Sequence, residues 1–120
     1  MTAGKVKLPP IEQGATYRHS IRWLQPNGTT PVDMSGAKGY MQVRETVDAV
    51  TSIIDLNSDN GRVSIDMVTG TISLLITAAD TELLTTIADA VYDLEIHYSD
   101  LSVVRLIEGK VSIKAEVTRD

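Results

Sequence analysis

The chain has 120 residues, with eleven Lys and Arg against sixteen Asp and Glu, and a formal net charge of -5. It is 42% apolar and 22% charged, which suits one folded domain with an ordinary core and excludes disorder of the whole chain. The absence of Cys removes disulfides, thiolate catalysis and zinc–thiolate sites, the acidic balance argues against a nucleic-acid partner, and no apolar run approaches the ~20 residues that cross a bilayer.

Residues 1–14 differ from the rest. Gly4, Pro9, Pro10 and Gly14 exclude a helix, and the segment alternates poorly. It reads as an extended arm ahead of a domain at 15–120. Its residues Val6, Leu8, Pro9, Pro10 and Ile11 are the candidate partner interface. No apolar h-region opens the chain, so no secretory signal is expected.

From Tyr17 the sequence reads as strands. Tyr17, His19, Ile21 and Trp23 share one parity and Arg18, Ser20 and Arg22 the other, the period of a half-buried strand. Pro26-Asn27-Gly28 ends it. A second strand falls near Tyr40 to Arg44 and a short one at Ser52 to Leu56; the stretch between is ambiguous. Asn57 to Gly61 makes a turn. Val63, Ile65 and Met67, then Ile72, Leu74 and Ile76, alternate on either side of Thr69-Gly70 as a hairpin. Residues 78–87 favour one or two helical turns, with Thr77 as N-cap, crossing from one sheet to another. Ala90, Tyr92, Leu94, Ile96 and Tyr98 form the next inward face. After the turn at Ser99 to Ser102, apolar parity switches from Val104 and Leu106 to Val111, Ile113, Ala115 and Val117. A bulge or kink at Gly109 is expected to absorb that slip. Six to eight short strands with a turn every ten or so residues predict an all-β antiparallel sandwich or barrel.

Chemistry-bearing patterns are sparse. His19 and His97 sit in strands, without a nucleophile at motif spacing, and neither Gly-x-Ser-x-Gly nor a phosphate-binding glycine pattern occurs. No catalytic residue, cofactor or metal is assigned. Asp55, Asn57, Asp59, Asn60 and Asp66 resemble a calcium loop loosely, but Gly61 stands at the seventh position rather than the sixth and no Glu closes the loop. An Asn/Asp-rich turn is the simpler reading. Trp23 is the only Trp; its parity places it in the core rather than on a sugar platform. Trp23, Tyr92, Leu94 and Ile96 are the assigned structural core. Arg18, Arg22, Arg44, Asp93, Glu95, Arg105 and Glu108 form a mixed-charge sheet surface that also suits an interface of complementary charges.

The order of these pieces resembles a known family. Pro31-Val32-Asp33-Met34-Ser35-Gly36 precedes a strand ending in Val43-Arg44. Gly70-Thr71-Ile72 opens another, and Thr77 and Thr81-Glu82-Leu83 lead to Tyr92-Asp93-Leu94-Glu95-Ile96. Arg105-Leu106-Ile107-Glu108-Gly109-Lys110-Val111 and Val117-Thr118-Arg119 close the chain. Across about residues 15 to 119 this is similar to small tailed-phage virion proteins with an immunoglobulin-like domain, such as the N-terminal domain of baseplate upper proteins and tail-fibre attachment modules. The resemblance implies an immunoglobulin-like antiparallel sandwich of about seven strands, with Tyr92 placed as a corner tyrosine beside the helical crossover. It further implies a non-enzymatic structural protein of the virion, assembled in the host cytoplasm. That protein would join tail or baseplate components or anchor a fibre by contacts with other virion proteins, in several copies and without nucleic acid or membrane. A capsid decoration protein and a glycan-binding module are the alternatives. The arm at 1–14 would reach onto a neighbouring subunit.

Overall fold

The computed structural model describes residues 3–117. Thr118 and Arg119 of the closing motif lie outside the described residues, as do Met1, Thr2 and Asp120. The chain folds as two packed β-sheets. In order along the sequence the strands are β1 (Gly4–Lys5), β2 (Ile11–Glu12), β3 (Tyr17–Arg22), β4 (Lys38–Arg44) and β5 (Ile54–Asn57). Then follow β6 (Val63–Asp66), β7 (Thr71–Ile76), the helix α1 (Ala78–Glu82), β8 (Ile87–His97) and β9 (Val103–Lys114).

The larger sheet runs β1-β9-β8-β4-β5, with β2 also on β9; the smaller runs β3-β7-β6. In immunoglobulin lettering β3, β7 and β6 are B, E and D, and β9, β8, β4 and β5 are G, F, C and C′. This is the immunoglobulin-like sandwich expected of the sequence. One departure is the direction of the first strands. β1 and β2 pair with β9 in parallel, so the larger sheet is mixed rather than wholly antiparallel.

Alternation in the sequence becomes the interior directly. Met41 and Val43 of β4, Ile72, Leu74 and Ile76 of β7, and Ala90, Tyr92, Leu94 and Ile96 of β8 are all buried between the sheets. Trp23 also lies there, 9% exposed. Gly39 lets the two sheets approach: a Cβ on it would meet Val63 Cγ1 at 2.5 Å.

Three local expectations need correction. The helix stops at Glu82 instead of continuing to residue 87. Thr77 does cap it, accepting from the Asp80 N–H, but Thr85, Thr86 and Ile87 are consecutive β-branched residues that favour strand, and Ile87 already begins β8. The parity switch in β9 is not at Gly109. Leu94 pairs with Ile107 and Glu95 with Arg105, so Leu106 is the extra residue of a bulge, and Leu106 and Ile107 are both buried.

The third correction concerns the arm. Residues 4–12 lie along β9 of the same molecule, held by Val6 N–H to Glu108 O at 2.9 Å and Leu8 N–H to Lys110 O at 3.1 Å. Leu8 and Ile11 are 1% and 0% exposed and belong to the core. They are therefore not available as a partner interface. Val6, Pro9 and Pro10 stay exposed, but as the outer side of a docked strand. The physical reason is that β9 has a free edge and two buried tyrosines beneath it. Tyr92, from the larger sheet, donates its hydroxyl to Val6 O at 2.6 Å, and Tyr17, from the smaller, donates to Pro9 O at 3.0 Å. Tyr92 thus secures the arm and not the helical crossover, so it is no corner tyrosine. Gly109 is needed here for a different purpose than a bulge. Its φ is +156°, and a Cβ would collide with Val6 O.

Candidate functional site

The outer face of the larger sheet is the most structured polar surface. Strand geometry sends alternate residues outward, which aligns Tyr40, Gln42 and Arg44 on β4 with Asp93, Glu95 and His97 on β8 and with Arg105, Glu108 and Lys110 on β9. The registers Gln42↔Asp93↔Glu108 and Tyr40↔Glu95↔Arg105 put these side chains in rows. Arg18 and Arg22 do not join them. They stand on β3 in the other sheet, so the seven charged residues expected on one surface are divided between two.

Arg105 is the hub. Its guanidinium lies 3.6 Å from Asp93 Oδ2, 3.6 Å from Glu95 Oε2 and 3.9 Å from Glu108 Oε2. One cation cannot neutralise three carboxylates. Partial burial holds the Asp93 carboxyl above its ordinary range, the charge of Glu95 adds to this, and Arg105 offsets it only in part. His97 lies 3.0 Å from Glu95 Oε1, and its ring stacks at 51° on Tyr40 with centroids 4.4 Å apart. Arg44 reaches the other way, donating to Ala49 O and Gln42 Oε1, each at 2.8 Å. That contact holds the loop from Glu45 to Ile53 over the sheet margin.

Between these rows runs an open groove of about 430 Å³, with Lys5, Arg44, Asp93, Arg105, Glu108 and Lys110 among its lining. The groove brings together charges of both signs, and the one hydroxyl in its lining, that of Tyr92, is already donated to Val6 O. A second depression of about 450 Å³ lies between β5 and the end of α1, floored by Ile53, Leu56, Ile76 and Leu84. Neither His19 nor His97 lines either hollow.

The Asn/Asp-rich segment is a turn. Asn60 Oδ1 accepts from the N–H groups of Asn57 and Arg62, and Asn60 Nδ2 donates to Asp55 O. Asp59 pairs with Lys38 at 2.7 Å, which holds its carboxyl below the usual range. Among the described residues no group of three or more His, Asp or Glu is placed to hold a metal ion, and no helix is long and apolar enough to cross a membrane.

Sequence reasoning missed one class of surface residue, the apolar loop tips. Met67 and Val68 project from the β6–β7 turn and Leu101 from the β8–β9 turn, all exposed. Leu101 is 89% exposed and has φ +74°, which a Leu adopts only with strain. Tyr98 O–H donates to Asp33 O at 3.1 Å and ties this loop to the one after β3. The apolar residue in a hairpin slot that favours Gly was the available signal.

The chain matches no family model, and no curated protein matches it.

Proposed function

We propose that this protein is a non-enzymatic structural component of a tailed-phage virion. It joins tail or baseplate parts, or anchors a fibre, through contacts with other virion proteins. The observation that carries the contact role is the broad outer face of β5-β4-β8-β9. It presents a network of charges around Arg105 on an open groove, which suits docking by complementary charge more than enclosure of a small substrate. The exposed apolar tips Val68 and Leu101 add apolar surface that a partner would cover. The phage setting rests on the order of motifs from Pro31 to Arg119 in the sequence. The glycan-binding alternative loses its platform, because Trp23 is buried.

The test is location. Mass spectrometry of purified particles should find the chain, and gold-labelled antibody should decorate the tail or its tip. Label confined to the head would replace the tail reading by shell decoration. Absence of the chain from purified particles would remove the virion reading altogether.

A further inference from the structure

We propose that the free edge of β3 is a docking edge for an extended acidic segment of a partner protein, added to the smaller sheet as a fourth strand. In this fold β1 and β2 pair with β9, so among the described residues nothing pairs on the far side of β3. The ladder identifies which groups are free. Trp23 N–H bonds to Gly70 O and Leu75 N–H to Arg62 O, so even-numbered residues of β7 bond to β3 and odd-numbered ones to β6. By alternation, Tyr17, His19 and Ile21 are satisfied by β7, while the N–H and C=O groups of Arg18, Ser20 and Arg22 point outward. Among the described residues none of those six groups has a partner.

The other edges are closed or short. Pro9 and Pro10 interrupt the arm along β9 and have no N–H. β5 spans four residues, and Asn60 covers its Asp55 carbonyl. β6 also spans only four. β3 offers six residues without proline or bulge, the kind of edge that templates strand addition. Its inward side is incomplete as well. His19 and Ile21 point between the sheets on the parity of buried Tyr17 and Trp23, yet remain partly exposed. An added strand with apolar residues opposite them would close the sandwich there.

Charge selects the occupant. Arg18 and Arg22 are exposed at either end of the free row, and among the described residues neither has a carboxylate within ion-pair distance. Arg22 Nε is steadied by Thr69 O at 3.1 Å. A second copy fits poorly. The two-fold pairing of β3 with itself that engages all three free positions, 18, 20 and 22, centres on Ser20, and it sets Arg18 against Arg22 twice. The complementary partner has acidic residues four apart, opposite Arg18 and Arg22, with apolar residues opposite His19 and Ile21. The proposal draws only its biological setting from the reading of the molecule as a contact module, because the test reads the edge directly.

The probe is a blocked seven-residue peptide with glutamates at its second and sixth positions, valines at its third and fifth, and threonines elsewhere. Amide hydrogen exchange followed by NMR on the whole chain should show protection appearing at Arg18, Ser20 and Arg22, with Tyr17, His19 and Ile21 unchanged. The double variant R18E/R22E should bind this peptide about tenfold more weakly and prefer the same peptide with lysines in place of glutamates. Unchanged β7 amides in the variant verify its fold. No binding at millimolar peptide, binding with the three amides still exchanging freely, or equal binding of both peptides by the unmodified chain would overturn the proposal. None of these outcomes bears on whether the chain is found in particles.

Discussion

Leu8→Ala separates an integral first strand from an ornamental one. Leu8 is 1% exposed among the core residues, eight positions from the start of a chain whose opening reads as a tail. Its backbone is fixed on both sides, by Val6 N–H and its own N–H on β9 and by Tyr17 on Pro9 O. The strand therefore cannot slide inward to fill the space the substitution leaves. Burial lost plus an uncollapsed cavity puts the cost at about 3 kcal/mol, within the roughly 2–5 kcal/mol seen for buried Leu→Ala changes. Total stability for this length is roughly 6–18 kcal/mol, so the loss is a substantial fraction. Urea unfolding followed by Trp23 fluorescence should show a lower midpoint with the slope unchanged, and Tm should fall by roughly 12 °C, at about 4 °C per kcal/mol. Val6→Ala is the internal control. Val6 is 41% exposed, and its truncation should cost under about 0.5 kcal/mol. A Leu8→Ala unfolding free energy within about 0.5 kcal/mol of the unmodified chain would refute the argument, since the segment would then be dispensable to the core.

Two further outcomes follow from the same geometry. Burial pushes the Tyr17 and Tyr92 hydroxyls up to about 12, Tyr92 also through its neighbours Tyr17 and Glu108. Their folded-state values lie above the ordinary 10, so their contribution is complete below pH 10 and is lost as pH rises towards 12; alkaline melts should drop across that window, and Tyr92→Phe should flatten the drop. Leu101→Gly relieves the positive φ and should raise stability by about 0.5–1 kcal/mol in thermal melts while weakening attachment to particles; a stabilised variant that still incorporates normally would remove Leu101 as an anchor.

The sandwich was legible because its strands alternate over four or more residues, and Tyr17, Ile72 and Leu94 land inside as their parity requires. The arm was not, because two proline-separated contacts leave Leu8 and Ile11 three apart instead of two. Their apolar character beside Lys7 and Glu12 was the only trace. Leu106 and Ile107, adjacent and both apolar, mark the bulge more directly than Gly109 does. Periodicity assigns a residue to a face and says nothing of which sheet that face belongs to. Hence Arg18 and Arg22 were grouped with Arg105, although the fold sets them on different sheets. The free edge of β3 is a property of which strands become neighbours, a long-range fact absent from any local pattern.

The pairing of β1 and β2 with β9 joins positions about a hundred residues apart. During synthesis the opening segment leaves the ribosome long before its partner exists. Closure must wait until Lys114 has emerged, and loops of that span close slowly. Residues 4–12 thus find their place only after β9 is complete, and crowded nascent chains can exchange these segments with one another meanwhile.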